Sequence, residues 1–121
     1  MSSTSSLEGR LILVVEDEPL IALDVTRAVT TAGAKVVSAG YLESGLCSTE
    51  HPALSAAVVD LRLTDGSGMR ICERLRRRRV PFIVHTAYPR LFASAQWPNV
   101  PILTKPARPE EIVSALQRLL Q

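Results

Sequence analysis

The chain has 121 residues, of which 46% are hydrophobic and 21% are charged, with a formal net charge of +2. This length and composition predict a single globular domain with a real core, and so small a net charge does not by itself indicate nucleic-acid binding. No apolar run approaches the length of a membrane span, and the polar N-terminus lacks the apolar core of a signal peptide.

The chain begins with a serine-rich stretch, residues 1–9, that lacks an apolar period and therefore predicts a flexible tail. The folded domain is predicted to span residues 10–121. Its first element is the continuous apolar run of residues 10–15, which is typical of a buried strand and ends in Glu16-Asp17-Glu18. Pro19 suits the first turn of a helix, because its missing N–H would lack a partner there anyway.

From Pro19 onward, helical patterns alternate with short apolar runs. In chain order they first predict a helix to Gly33, a strand at 35–39, a weak helix at 43–49 and a strand at 56–61. A helix from Met69 into an arginine run and a strand at 82–84 come next. The last predicted elements are one or two helical turns within 87–99, a strand at 100–103 and a terminal helix. This alternation predicts an α/β fold, a doubly wound five-stranded parallel (βα)₅ sheet whose fourth helix is short or irregular.

Polar residues stand at the C-terminal ends of four of the predicted strands, where open α/β sheets bind their ligands. They are Glu16, Asp17, Asp60, Thr86 and Lys105. Three carboxylates held together repel one another unless a cation intervenes, and Mg²⁺ accepts one or two carboxylates while leaving room for phosphate oxygens. Lys105 and Thr86 offer a positive charge and a hydroxyl to a phosphoryl group, and an aspartate can itself accept one.

Each of these residues also has a plain structural explanation when it is taken alone. Asp17 could cap a helix, Thr86 could be an ordinary strand-end hydroxyl, and Lys105 could be a surface lysine. Their joint placement at the ends of separate strands favours a common site instead, because converging polar groups at such a crevice are typical of one.

The chain resembles the receiver domains of bacterial two-component response regulators from about Leu11 to Leu120. The residues that carry the resemblance are Glu16-Asp17, Asp60 with Gly68 downstream, Thr86, and Lys105-Pro106. The resemblance implies a flavodoxin-like (CheY-like) fold and a cytoplasmic signalling protein. It further implies that Asp60 takes a phosphoryl group from a histidine kinase or phosphotransfer protein, a Mg²⁺-dependent self-phosphorylation and not the turnover of an enzyme.

The resemblance also implies a role for each residue of the site. Asp17, Asp60 and the backbone carbonyl of Arg62 would bind Mg²⁺, with Glu16 acting mostly through water. Thr86 would be the switch hydroxyl that moves toward the phosphoryl group. Lys105 would pair with that group, and the bond between Lys105 and Pro106 is often cis in this family.

Two positions depart from the usual pattern of receiver domains. Thr64 stands where proline is common, and Ile102 replaces the tyrosine or phenylalanine whose burial usually accompanies the threonine's movement. Tyr88 is therefore a candidate for the group that moves. The stretch from Pro81 to Tyr88 resembles the Pro-Phe-x-Phe-Ala-Thr-Gly-Tyr motif of an alphaproteobacterial subgroup in general stress signalling, with matches at Pro81, Phe82, Thr86 and Tyr88.

The output expected from this resemblance is a switch in protein–protein contacts. A downstream partner would bind near the fourth and fifth predicted strands and the last helix of a monomer or weak dimer, without direct contact to nucleic acid or membrane. One alternative is a phosphorylation-independent binding module, with Ile102 as the sign of a lost switch. Another is an aspartate-nucleophile phosphatase, disfavoured because Pro19 stands where that class needs a second aspartate. A nucleotide-binding fold is weaker still, because no glycine-rich loop follows the first strand.

Several other residues have a structural explanation first. We expect the run from Arg76 to Arg79 to form a solvated helix end without an aromatic partner nearby. We expect His85 to pack at the rim of the sheet. Cys47 and Cys72 do not have the spacing of a metal site. We expect both to be reduced and to act as small apolar residues, with a disulfide between them as the minor alternative. Phe92 and Trp97 fit either the core or an exposed patch.

Overall fold

The computed structural model describes residues 6–92 and 97–121. Five strands form one parallel sheet: β1 (Leu11–Val15), β2 (Lys35–Ala39), β3 (Ala56–Val59), β6 (Phe82–Thr86) and β7 (Ile102–Thr104). Two short strands between β3 and β6, namely β4 (Arg62–Leu63) and β5 (Gly66–Ser67), form a separate antiparallel pair. The order of the main sheet is β2-β1-β3-β6-β7, which places β3 at its centre.

The helices lie on both faces of this sheet, as the alternating pattern predicts. They are α1 (Pro19–Thr31), α2 (Leu42–Ser48), α3 (Met69–Arg77) and α4 (Pro109–Leu119). Along β1, Leu13 and Val15 pack in a cluster with α2 and α3, whereas Ile12 and Val14 pack in a cluster with α1 and α4. Each such side chain contributes about 1.5–3 kcal/mol through burial, which makes β1 and β3 the anchor of both layers.

Of the predicted flexible tail, residues 1–5 lie outside the described residues, whereas residues 6–9 pack against the domain. Leu7 is 1% exposed and packs in the α1/α4 cluster. Its backbone N–H donates a hydrogen bond to the carbonyl of Ala32 at 2.8 Å. Residues 6–9 therefore belong to the folded domain, because one buried leucine and one backbone bond attach them to the end of α1.

The segment between β6 and β7 contains little helix in its described part. It has one 3₁₀ turn, Pro89–Leu91, which agrees with a short or irregular fourth helix. Residues 93–96, within the stretch predicted to hold one or two helical turns, lie outside the described residues. No helix of the described ranges is long and apolar enough to cross a membrane.

Two aromatic residues of this segment belong to the core. Phe92 and Trp97 are 1% and 5% exposed, and their ring centroids lie 6.4 and 5.8 Å from that of Phe82. The guanidinium of Arg76 lies 4.1 Å from the centroid of the Trp97 ring. The expectation that the arginine run has no aromatic partner is therefore wrong, because Trp97 folds back onto α3 from outside that helix.

Candidate functional site

The polar residues predicted at the strand ends meet at one edge of the sheet. Glu16 and Asp17 follow β1, Asp60 follows β3, Thr86 ends β6, and Lys105 follows β7. The backbone N–H of Asp60 donates to the carbonyl of Val15 at 3.0 Å, so the last bond of the β1–β3 ladder fixes this aspartate. The site is thus built from adjacent strands, and the hydrogen bonds of the sheet hold its residues in place.

Three carboxylates and one ammonium group form the centre of this site. Oxygen atoms of Glu16, Asp17 and Asp60 all lie within 4.8 Å of one another. The Nζ atom of Lys105 lies 2.7 Å from Oε1 of Glu16 and 3.0 Å from Oδ2 of Asp60. One positive charge does not balance three negative ones, so the cluster suits a divalent cation with a preference for oxygen ligands, such as Mg²⁺.

Burial and charge act on the titration of this cluster. Burial, and next to it the negative charge of Asp60, raises the pKa of Glu16 despite its hydrogen bond from Lys105. Burial alone would lower the pKa of Lys105, but its hydrogen bonds to Glu16 and Asp60 outweigh that effect and raise it. Lys105 therefore remains protonated at neutral pH and supplies a permanent positive charge beside Asp60.

The loop from Asp60 to Gly68 is held to the site by hydrogen bonds. The backbone N–H of Arg62 donates to Oδ1 of Asp60 at 3.3 Å. The hydroxyl of Thr64 donates to Oδ2 of Asp17 at 3.0 Å, so this departure from the common proline gives Asp17 a partner. Both acids thereby have an oxygen oriented by the same loop.

Asp65 connects this loop to the neighbouring helix. Its Oδ1 and Oδ2 atoms accept the backbone N–H groups of Leu42 and Glu43 at 2.6 and 3.3 Å. The carboxylate therefore caps the N-terminus of α2 from a distant part of the chain. The hydrogen bond from Leu42 is also the main cause of the lowered pKa of Asp65.

Gly68 closes the loop against the backbone of the candidate phosphoacceptor. Its N–H donates to the carbonyl of Leu61 at 2.8 Å, and its φ of −64° is open to any residue. A Cβ atom at this position would collide with the carbonyl oxygen of Asp60. Glycine is therefore required here for space and not for backbone conformation.

Thr86 lies beside the cluster, at the end of β6. It is 0% exposed, and its Oγ1 accepts the backbone N–H of Tyr88 at 3.0 Å. The Tyr88 side chain is 51% exposed, and the Arg62 guanidinium lies 4.6 Å from its ring centroid. Ile102 is partly buried and packs against the α2/α3 cluster. Nothing in the sequence predicts the contact between Arg62 and Tyr88.

A family model described as the response regulator receiver domain matches residues 12–117. The chain belongs to the receiver-domain family. The photosynthetic apparatus regulatory protein RegA of Rhodobacter capsulatus is 31% identical to it over 112 residues, which cover 88% of this chain and 61% of RegA. The phyllosphere-induced regulator PhyR of Methylorubrum extorquens is 32% identical over 114 residues, which cover 90% of this chain and 43% of PhyR. This receiver domain thus spans about half the length of these relatives.

Solved structures agree with the fold of this receiver domain. The response regulator PhyR from Brucella abortus superposes with a TM-score of 0.80 at 28% identity, over 95% of this chain and 49% of that one. The protein TrrA from Thermotoga maritima, in complex with Mg(2+)-BeF, superposes with a TM-score of 0.81 at 21% identity, over 92% and 99%. The predicted CheY-like fold and the alphaproteobacterial relatives are confirmed, and the Lys105–Pro106 bond is cis, as the resemblance implied.

His85 lies in the receiver domain's interior on the α1/α4 side of β6. It is 4% exposed, and its Nε2 atom has no hydrogen-bond partner among the described residues. It lines a small cavity of about 170 Å³ together with Lys105 and Ile112. Burial, with the positive charge of Lys105, lowers the pKa of His85 to about 4, so the imidazole is neutral at pH 7.

The two cysteines of the receiver domain differ in environment. Both are free thiols; Cys72 is buried in α3, whereas Cys47 is exposed on α2. Burial raises the pKa of Cys72 to about 12. The prediction of a small apolar residue thus describes Cys72, but Cys47 faces solvent.

Proposed function

We propose that Asp60 accepts a phosphoryl group from a histidine kinase or phosphotransfer protein, and that the modified domain changes its contacts with a downstream protein. The observation that supports this most directly is the setting of the Asp60 carboxylate. It is 5% exposed, and its two oxygens face the Lys105 ammonium at 3.0 Å and the Arg62 N–H at 3.3 Å. A carboxylate oriented in this way is prepared for in-line attack on phosphorus.

The transfer needs little covalent chemistry from the protein. An oxygen of Asp60 forms the new bond to phosphorus, while the bond from phosphorus to the donor's imidazole nitrogen breaks. That nitrogen keeps the bonding electrons and takes up a proton. Lys105 and Thr86 hold the transferred oxygens, because positioning and charge neutralisation are the main requirements of phosphoryl transfer.

Mg²⁺ fits the carboxylate cluster by charge and by ligand type. Asp17, Asp60 and the backbone carbonyl of Arg62 would hold it directly, with Glu16 acting through water. When bound, the ion neutralises negative charge on the phosphoryl oxygens. The hydrogen bond from Thr64 to Asp17 at 3.0 Å supports this assignment, since it orients Asp17 before any metal arrives.

Tyr88 is the candidate for the group that responds to phosphorylation. Its N–H bonds the Thr86 hydroxyl, and its ring contacts Arg62, whose own N–H bonds Asp60. Movement of Thr86 toward a phosphoryl group would break the bond to Tyr88 and release its segment. The altered surface would lie beside β6, β7 and α4, and we assign the contact with a downstream protein to that face.

The decisive experiment incubates the protein with Mg²⁺ and acetyl phosphate and reads the intact mass. Wild type should gain one phosphoryl group, and Asp60→Asn should gain none. Asp24→Asn is the matched control, because Asp24 is exposed on α1; it should behave as wild type. A mass gain in Asp60→Asn equal to that of wild type would contradict the assignment.

A second candidate function is a binding module that does not depend on phosphorylation. Ile102 favours it, because this partly buried aliphatic side chain cannot replace the ring of the usual switch. Wild type that stays folded but gains no mass, together with partner binding unaffected by Asp60→Asn, would select this alternative.

A further inference from the structure

A concentration of arginines marks the end of the sheet opposite Asp60. Five of the chain's twelve arginines lie between residues 74 and 79, at the C-terminal end of α3. Arg74 and Arg78 pair with Glu50 at 3.2 and 3.6 Å, and Arg76 lies over the Trp97 ring. Within the described part of the chain no ion pair involves Arg77 or Arg79, so positive charge remains exposed there.

An apolar groove of about 460 Å³ lies directly beside these arginines. Pro81, Phe82, Val100 and Leu119 supply its apolar lining, and Arg76 and Arg79 also line it. No described residue that lines the groove is acidic. The groove therefore combines an apolar floor with the positive charge of Arg79, which has no ion pair among the described residues.

The groove is separate from the phosphoacceptor site. Phe82 begins β6 and Thr86 ends it, so the two features lie about 13 Å apart along this strand. The groove opens at the amino ends of the strands, whereas the acidic cluster lies at their carboxyl ends. A ligand could therefore occupy the groove without displacing any group of the acidic cluster.

Arg79 has a backbone conformation that does not favour an arginine. Its φ is +61°, the left-handed region in which glycine normally ends a helix. The fold alone would be better served by glycine at this position. The presence of arginine therefore points to a use for its side chain, which lines the groove.

We propose that this groove binds an acidic, amphipathic segment of a partner protein, with apolar side chains on the groove floor and a carboxylate against Arg79. A single-stranded nucleic acid fits less well, because it needs exposed aromatic rings for stacking. Phe82 and Trp97, the rings at this surface, are only 4% and 5% exposed. Charge complementarity and an apolar floor together select the acidic peptide.

The test measures fluorescence anisotropy with a labelled peptide in which glutamates flank a leucine and a phenylalanine. Arg79→Gly removes one charge and relieves the left-handed arginine, so the variant should fold at least as well as wild type. We expect it to weaken binding about two- to fivefold, in line with one partly exposed charge pair. Leu119→Gln, which makes the groove floor polar, should also weaken binding.

Arg27→Gln is the matched control, because Arg27 is an exposed arginine on α1 outside the groove. It should bind the peptide as wild type does, and so should Asp60→Asn. The proposal is overturned if wild type does not bind the peptide, or if Arg27→Gln weakens binding as much as Arg79→Gly. It is also overturned if a peptide with lysine in place of glutamate binds equally well. Tighter binding of single-stranded DNA that Arg79→Gly weakens would assign the groove to nucleic acid instead.

Discussion

The two loops that approach Asp60 are held in very different ways. The loop from Asp60 to Gly68 includes the β4–β5 pair, bonds Asp17 through Thr64, and caps α2 through Asp65. Residues 87–91, which directly follow Thr86, make fewer side-chain contacts with the rest of the described structure than the first loop does. Their start is held by the Tyr88 N–H bond to Thr86 and by the contact with Arg62, while Tyr88 and Leu91 remain 51% and 60% exposed.

This difference assigns separate tasks to the two loops. The proposed phosphoryl acceptor and metal ligands must be positioned before the reaction, and the loop that would carry them is fixed on several sides. A segment that reports the reaction must change its structure at low cost, which suits residues 87–91, where Tyr88 and Leu91 are exposed. The following predictions test this division, from the largest expected effect to the smallest.

Gly68→Ala should damage the fixed loop most. The new methyl group collides with the Asp60 carbonyl, and such overpacking costs about 2–3 kcal/mol in the free energy of unfolding. Urea denaturation measures the loss, and the rate of phosphorylation from acetyl phosphate should fall with it. Gly40→Ala is the matched control, because its Cβ would meet no atom closer than 3.8 Å. Equal stability of the two variants would mean that the loop is not fixed at Gly68.

His85, which precedes Thr86 in β6, should make the free energy of unfolding depend on pH. Its pKa is about 4 in the folded protein, against 6.5 when unfolded, so the unfolded state binds more protons between these values. Stability is therefore full above pH 6.5 and falls as the pH drops toward 4, by about 2 kcal/mol at pH 5. Urea denaturation at pH 7.5 and pH 5 measures this loss.

His85→Leu should remove most of that pH dependence, whereas His51→Gln, at an exposed histidine, should retain it. The raised pKa of Glu16 acts in the opposite direction, because its folded state gains protons as the pH falls. That contribution is common to wild type and both variants, so the difference between variants isolates His85. An identical pH dependence in His85→Leu and wild type would contradict the assignment.

Asp65→Ala should loosen the connection between the fixed loop and α2, with a smaller effect than Gly68→Ala. The amides of Leu42 and Glu43 lose their acceptor and should exchange their hydrogens faster. Because the pKa of Asp65 is lowered, its contribution is present above pH 3.8 and is lost as the pH falls through the lowered value. Asp24→Ala, at an exposed aspartate on α1, should leave α2 unchanged.

Tyr88→Ala should have the smallest effect on stability, because the Tyr88 side chain is 51% exposed and contacts Arg62 at the surface. The lost contact with Arg62 is worth about 0.5–1 kcal/mol. Tyr88→Phe keeps the ring and should match wild type in urea denaturation. If Tyr88→Ala were as destabilising as Gly68→Ala, the segment after Thr86 would be as fixed as the other loop.

The sequence predicts those parts of the fold that depend on local periodicity. The buried strands, the helices on both faces and the polar strand ends follow from apolar runs and from the rule for parallel sheets. Contacts between distant segments leave no such pattern. Asp65 stands in a turn-rich stretch, and nothing there indicates that its carboxylate reaches Leu42. Leu7 likewise is one leucine among serines, and Trp97 meets Arg76 only because the chain returns to α3.

The two thiols differ in burial, so one of them can be labelled selectively. Cys72 is enclosed and its pKa is about 12, so maleimide reagents at neutral pH should modify Cys47 alone. A dye attached there would lie on α2, the helix whose first turn Asp65 caps. The wild-type chain therefore needs no engineered cysteine to carry a fluorescent reporter on the helix next to the phosphoacceptor loop.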